Sequence, residues 1–341
     1  MTREPEIFHE GVIRDGIGRR ERVLPGRGPR PGSRHRGDRD ADHSRGGEQG
    51  GPPPASGPVS TAPGAPAWPG LEAAGVVSAA PASSRWRVGQ RVCALLPGGG
   101  YAESVAVHES LVLPVHDKVS DVEAAALVEA ACTVVSTLDA ADAVAGDTVL
   151  VHGGSGGVGT LAIQIAAARG MRVLATAGGP ERARRCEELG AARAFDHRGE
   201  EWSALVEAEG GADVILDVIG AAALGANLRA LRTGGRLVVI GLLKGSRGEL
   251  DLGMLLAKRA SVLGTTLRSR PLEERAAIVA RVAREVWPLV PDAVRPIVHA
   301  TVPLAEAHEA HRLLESGEAF GKVVLTIEEE GPTGRRAGPD R

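Results

Sequence analysis

The sequence predicts an α/β fold: a parallel sheet wound on both faces by helices, with a smaller β-rich unit beside it. Three observations carry that expectation. From Asp121 to about Gly264, apolar and β-branched runs alternate with helical runs, the order that builds a parallel sheet. Within that stretch, TVLVHGGSGGVG (Thr148–Gly159) leads an apolar strand into a glycine-rich turn, and a helical pattern (TLAIQIAAARG) follows at once. Ahead of it, Glu72 to about Val115 offers short alternating runs parted by turn signals such as PGGG, as antiparallel strands require.

Length and composition bound the reading. A chain of 341 residues suggests about two domains. A net charge of −3 gives no general attraction to nucleic acid or to an anionic membrane. No apolar run reaches the roughly 18 residues of a membrane span, and no apolar leader opens the chain. Cys93, Cys132 and Cys186 stand far apart, which suits small buried thiols in a reducing compartment. The expectation is therefore a cytoplasmic protein with neither nucleic acid nor membrane as partner. Aromatics make up only 2%, so the core rests on Ala, Val, Leu and Ile.

Taken in order, residues 1–65 read unlike the rest. They hold no lysine, are rich in arginine, and from 24 to 66 are dense in Gly and Pro without periodicity, so they are expected to be disordered. Residues 66–120 form the small β unit. Residues 121–267 form the parallel sheet, with strands expected at 148–152, 172–176, 193–196, 212–217, 236–240 and 261–264. Helices are expected near 121–142, 157–169, 180–189, 200–209, 222–231 and 251–258. Residues 268–328 bring a further helix from Glu273 to Trp287, then runs at Thr301–Val302 and Lys322–Ile327 that return to the β unit. The tail 329–341 is expected to be disordered.

The glycine turn carries the chemistry. Gly154, Gly156 and Gly159 fall at G-x-G-x-x-G spacing, with Ser155, Gly157 and Val158 between them. The first glycine is expected to allow the tight turn and the second to let backbone approach a pyrophosphate. The third lets helix and strand pack closely, and the helix start then offers free N–H groups to phosphate. An NAD-selecting carboxylate is absent where the second strand ends, at Thr176, Ala177, Gly178 and Gly179. Arg182, Arg184 and Arg185 follow, with Glu181 among them. Arginine attracts a 2′-phosphate, so the cofactor expected is NADP(H); Arg184 taken alone reads as a solvated helix face. Asp217 ends the fourth strand and Gly241-Leu242 the fifth. Carboxyl ends of parallel strands line the ligand crevice, so these are candidate cofactor contacts.

Two other chemistries compete with this one. Gly153–Gly157 also matches G-x-S-x-G, which would make Ser155 a nucleophile with Asp251 and His299 in hydrolase order. Gly159 favours phosphate binding instead. No Cys/His cluster has zinc-ligand spacing, and His308 and His311 read as a surface pair on a helix; no metal is expected.

From Trp68 to about Ile327 the chain resembles the zinc-independent medium-chain dehydrogenases/reductases. Among these it is closest to the quinone oxidoreductases of the tumour-suppressor-inducible subgroup. The resemblance rests on PGLEAAGVV, GQRVCAL, GYAESVAV, HGGSGGVGTLAIQIA, GGRLVVIGLL, LGTTLRSRP and GKVVLTI, in that order. It implies a Rossmann domain and a GroES-like substrate domain with a cleft between them. It also implies hydride transfer from NADPH to a quinone, or to an activated enone or enoyl group. No catalytic side chain is named, because hydride transfer chiefly needs two reactants held in line with water excluded. By position, Gly156, Gly157 and Val158 would hold the pyrophosphate. Thr265, Thr266, Leu267, Arg268 and Lys322 would lie near the cofactor. His197 stands where relatives carry a tyrosine beside the adenine. Leu71 stands where zinc-dependent relatives place a ligand histidine, which supports a metal-free enzyme. The family commonly dimerises through the last Rossmann strand, here Ser261–Gly264.

One departure stands out. Relatives place the first strands of the substrate domain, and part of the nicotinamide pocket, within about 60 residues before PGLE. Residues 1–63 show none of this in the written frame, so the substrate domain is expected to be incomplete at its start. Read one base forward through permitted codons, Gly47–Ala55 gives Val-Ser-Arg-Ala-Asp-Leu-Leu-Gln. Gly28–Asp40 gives Val-Pro-Gly-Pro-Gly-Val-Val-Ile-Glu-Val-Thr-Ala. Both are like the family's segments, so this stretch reads as frame-shifted; the alternative is a natural disordered extension in place of that subdomain. The chain as written is then expected to bind NADPH better than it reduces substrate.

Overall fold

The computed structural model describes residues 10–14, 66, 68–199 and 201–327. The tail and the rest of the segment 1–65, including the two stretches that read as frame-shifted, lie outside these residues.

The small β unit is a five-stranded antiparallel sheet. Its strands are β1 (Glu10–Arg14), β2 (Glu72–Ala79), β3 (Arg91–Leu95), β4 (Ser104–His108) and β5 (Val112–Pro114), in the order β4-β1-β2-β3-β5. β1 corrects the expectation that residues 1–65 contribute no strand. It sits between β2 and β4, with Ile13 opposite both Val77 and Val105. The run EGVIR carries two adjacent β-branched residues, and it gives ladder partners to two strands that do not pair with each other.

Two helices lead out of this unit: α1 (Asp121–Ala124) and α2 (Val128–Ala140). They divide what the periodicity predicts as one helix. α1 opens on a capping box between Ser120 and Glu123. α2 is buried almost all round; from Val128 to Leu138 only Glu129 and Thr133 are left half-buried.

The parallel sheet follows as expected. β6 (Thr148–Val151), α3 (Gly157–Ala168), β7 (Arg172–Ala177), α4 (Pro180–Glu188), β8 (Arg193–Asp196) and α5 (Trp202–Ala208) make the first half. β9 (Ala212–Asp217), α6 (Leu224–Ala230), β10 (Leu231–Val239), α7 (Leu252–Lys258) and β11 (Ser261–Gly264) make the second. The strand order is β11-β10-β9-β6-β7-β8, all parallel. That is the doubly wound order, with its switch point between β6 and β9. Strand alternation divides two cores: Val149, Val151, Val173, Val214 and Val238 pack on one face, and Leu150, Leu174, Ile215 and Leu237 on the other. The first of these cores is continuous with Val92, Leu95 and Val112 of the small β unit, so α2 and the apolar strands weld the two units together.

The chain then forms α8 (Leu272–Glu285), β12 (Val298–Pro303), α9 (Ala307–Glu315) and β13 (Lys322–Thr326). β12 and β13 do not return to the five-stranded sheet as expected. They pair parallel with each other, Val302 opposite Leu325. The reason lies next to them: Gly321 donates to the Ser155 carbonyl at 2.8 Å and forms a bridge with Gly156, which ties β13 to the glycine turn instead.

Candidate cofactor cleft

The turn after β6 is held by sterics that can be read glycine by glycine. The left-handed residue is Gly153, at φ +66°, not Gly154 as the motif suggests. Gly154 is required for closeness instead: a Cβ there would lie 3.0 Å from Cys186 Sγ and 3.1 Å from Ala175 Cβ. Gly159 has the least room, since a Cβ would fall 2.1 Å from the Gly153 carbonyl oxygen. Gly156 begins α3 without a side-chain cap, so the first N–H groups of the helix are left for an anion.

Lys322 crosses this turn. Its stem covers Gly157, where a Cβ would meet Lys322 Cγ at 2.8 Å. Its Nζ pairs with the Glu72 carboxylate and, at 3.2 Å, with Glu129 Oε2. The other Glu72 oxygen accepts the Glu129 backbone N–H at 3.0 Å, and Thr133 Oγ1 donates to Glu129 Oε1 at 3.0 Å. The cluster thus holds two carboxylates against one ammonium. Burial lifts the Glu72 carboxyl above the usual range, with Lys322 working against that and Glu129 with it. Burial pulls Lys322 down, but Glu72 and Glu129 outweigh it and hold the ammonium above the ordinary lysine range. Glu129 was missed by sequence reasoning; its signal is a lone acid in the apolar run LVEAACTVV.

The other expected residues divide in two. Val158, Gly241, Leu242, Thr265, Thr266, Leu267 and Arg268 line one cleft of about 1020 Å³, together with Leu71, Glu129, Thr133, Ser136, Thr137 and Val218. Arg268 Nε also donates to the Pro97 carbonyl at 3.0 Å, joining the two units across the cleft. A smaller cavity of about 420 Å³ adjoins it, lined by Glu72, Tyr101, Glu129, Arg268 and Lys322. Thr176 and Asp217, by contrast, turn inward. Thr176 Oγ1 lies 2.8 Å from His152 Nδ1, deep in the domain. The buried Asp217 carboxylate accepts the N–H groups of Ile219 at 2.7 Å and Gly220 at 3.2 Å. Asp217 serves its own loop, because the end of a parallel strand leaves loop N–H groups that a local acceptor must satisfy, and Thr176 serves His152.

Near the end of β7, Arg184 is spent on Glu181 and Glu188, and Arg185 stacks 3.6 Å from the Phe320 ring centroid. Arg182 is half-buried and is bound to neither acid. Arg198, which sequence reasoning missed, lies over Gly178, where a Cβ would stand 3.0 Å from its Nε. His197 is exposed on the same loop. Asp196 Oδ1 accepts the N–H groups of Gly179 and Arg198, and these bonds hold its carboxyl below the usual range.

The hydrolase constellation is not assembled. Asp251 caps α7 through the Met254 N–H at 2.9 Å, and His299 Nδ1 accepts the Phe320 N–H at 3.4 Å. His311 Nε2 lies 3.4 Å from the Tyr101 hydroxyl, and His308 pairs with Glu309.

Comparison with known proteins bears directly on this cleft. Residues 157–284 match the family "Zinc-binding dehydrogenase", and residues 40–117 match "Alcohol dehydrogenase GroES-like domain". The second match begins inside the segment set apart by composition. The chain is 32% identical over 284 residues to a quinone oxidoreductase of Rattus norvegicus, covering 80% of this chain and 83% of that protein. The chain belongs to the medium-chain dehydrogenase/reductase family. Among solved structures of this family, the quinone oxidoreductase of Thermus thermophilus, known also in complex with NADPH, is 36% identical with TM-score 0.67, over 76% of this chain and 81% of that one. The Escherichia coli quinone oxidoreductase complexed with NADPH is 25% identical with TM-score 0.69, over 76% and 82%. The first family description names zinc. Leu71 precedes Glu72, whose carboxylate is engaged by Lys322. Among the described residues no three His, Cys, Asp or Glu side chains gather as a metal would require. No helix among them is long and apolar enough to cross a membrane.

Proposed function

We propose that this member of the family is an NADPH-dependent, zinc-independent oxidoreductase that transfers hydride to a quinone. The observation that carries the reading is the uncapped start of α3 at Gly156, whose first turn brings Val158 to the cleft that Arg268 lines, with the Lys322 stem lying against Gly157. The cofactor, when bound, supplies the hydride. Gly156, Gly157 and Val158 offer N–H groups to its pyrophosphate. Lys322, fixed by Glu72 and Glu129, keeps positive charge at the turn. Ser155, Gly241, Leu242, Thr266, Leu267 and Arg268 border the bound cofactor, and the apolar walls from Leu71 and Val158 exclude water from the reacting faces.

Selection of NADP(H) falls to Arg182, helped by Arg198, with His197 beside the adenine. Arg182→Ala is expected to raise the NADPH Kd roughly tenfold and to leave the NADH Kd nearly unchanged, read by cofactor fluorescence titration. The cytoplasm remains the expected compartment. Pairing of edge strand β11 makes a homodimer: Val262 on that strand and Leu252 and Leu256 on the preceding helix α7 are exposed at 38%, 66% and 79%. Val262→Lys then halves the mass in sedimentation without unfolding the chain.

The deciding experiment is NADPH oxidation with 1,4-benzoquinone beside an NADPH binding titration. Binding with turnover supports the reductase, and cinnamaldehyde as acceptor tests the enone alternative. Binding without turnover favours an impaired NADPH-binding protein, as a frame-shifted N-terminal segment implies. An uninterrupted DNA reading frame, with no family-like peptide in the neighbouring one, would refute the frame-shift.

A further inference from the structure

Arg275 is a cation without a counterpart. It sits in the first turn of α8, after Glu273 and Glu274, where the helix dipole disfavours positive charge. Its Nε and Nη1 are shut off from solvent and make no hydrogen bond. Burial holds its basicity below the usual arginine range, and no carboxylate acts in the opposite direction. Glu274, its chain neighbour, is used by Arg270 at 3.2 Å. The two other arginines of this wall are committed as well: Arg268 to the Pro97 carbonyl, and Arg270 to Thr265 Oγ1 at 2.8 Å and the Thr266 carbonyl at 2.7 Å. Guanidinium donors that are shut off from water normally find partners, because a buried donor left unpaired is costly. Here nothing in the described residues offsets that cost, and the residue lines the cofactor cleft beside Ser136 and Thr137.

We propose that Arg275 recognises an anionic group, a carboxylate or a comparable oxyacid, carried by the hydride acceptor. The apolar side of the cleft takes the acceptor's ring or chain, and Arg275 with the α2 hydroxyls marks the polar end. The favoured acceptors are then acidic quinones or enones rather than wholly apolar ones. This rests on the reductase reading, and its test is equilibrium binding rather than turnover, so that the two fail separately.

The probes are 1-naphthol-4-sulfonate and 1-naphthol, titrated by calorimetry into the full chain saturated with NADP⁺. The sulfonate is expected to bind at least about tenfold more tightly than the neutral naphthol, the size of one charge-assisted hydrogen bond. Arg275→Leu is expected to bring the ratio below about twofold, and Arg275→Lys to keep most of it. Arg275→Gln repeats the test if the leucine variant does not fold. Equal affinities in the parent chain, no binding of either naphthol, or a ratio that survives removal of the positive charge in Arg275→Leu or Arg275→Gln would each overturn the inference. So would a weakened NADPH Kd with the ratio intact, which would give Arg275 to a cofactor phosphate. A chain that binds no NADP⁺ would instead sink the reductase reading beneath it.

Discussion

The two walls of the cleft are made in opposite ways. The Rossmann wall comes from one unbroken stretch, Thr148 to Gly264, in which each strand is followed by the helix that covers it. The facing wall is collected from β2, β3, β4 and β13, and its ionic centre joins Glu72, Glu129 of α2 and Lys322 across 250 residues of chain. The first wall depends on close backbone approach, which local sequence can specify. The second depends on charges that have no meaning until distant segments meet. Damage should therefore be graded and local in the first wall, and abrupt in the second.

The largest expected effect tests the second wall. Lys322→Met leaves Glu72 and Glu129 facing each other without their cation, and about 3–5 kcal/mol of stability is expected to be lost, read by urea unfolding. Adding Glu72→Gln to that variant should return part of the loss, since one uncompensated carboxylate is removed. Equal stability of Lys322→Met and the parent would break the contrast.

The first wall holds its own buried polar group. His152 lies 2.8 Å from Thr176 Oγ1 and 2.7 Å from Asn227 Oδ1, with Trp202 edge-on. Burial lowers its pKa from 6.5 to about 4, outweighing the Asn227 hydrogen bond. Between those values the unfolded chain binds a proton that the folded chain refuses, so stability falls as pH drops from about 6.5 through 4. The loss from this group is about 3 kcal/mol at 1.36 kcal/mol per unit. His152→Gln should flatten that part of the profile in denaturation series between those pH values; an unchanged slope would assign the acid sensitivity elsewhere.

A smaller pair of effects sharpens the contrast within the turn itself. Gly159→Ala forces a methyl against the Gly153 carbonyl, backbone against backbone. It is expected to cost about 1–3 kcal/mol and to weaken NADPH binding by at least about tenfold. Gly157→Ala meets the Lys322 stem, a side chain rather than backbone but one held at its end by Glu72 and Glu129, so its stability cost is expected to be about 1 kcal/mol and below that of Gly159→Ala. Thermal unfolding and fluorescence titration of the two variants give the order; a reversed order would mean that Lys322, not the helix start, governs the turn.

Much of this was legible before any tertiary structure. The six strands of the parallel sheet, the helices covering them and the glycine turn all follow from periodicity and turn chemistry, which act over a few residues. The direction of the expectation failed where a side chain had two neighbours to choose from. Thr176 and Asp217 stand at strand ends, where a ligand contact and an internal hydrogen bond look alike in sequence; Asp217 caps the loop that follows it and Thr176 bonds His152. Gly153 rather than Gly154 took the left-handed conformation because the motif specifies spacing, whereas φ depends on how strand and helix meet. β1 was hidden by the composition around it. Glu129, Arg198 and Arg275 became visible only once α2, α8 and the β8 loop were brought to the cleft.

By itself, then, the sequence determined the strand–helix alternation, the apolar division of the sheet into two cores and the place where a dinucleotide's phosphates can approach the backbone. These rest on local propensity, period and the missing Cβ of glycine. Only the tertiary structure decided which charges face one another, that Lys322 is held between Glu72 and Glu129, and that Arg275 is left without a partner. Pairing between charges depends on distance and desolvation, and neither exists until the chain has folded.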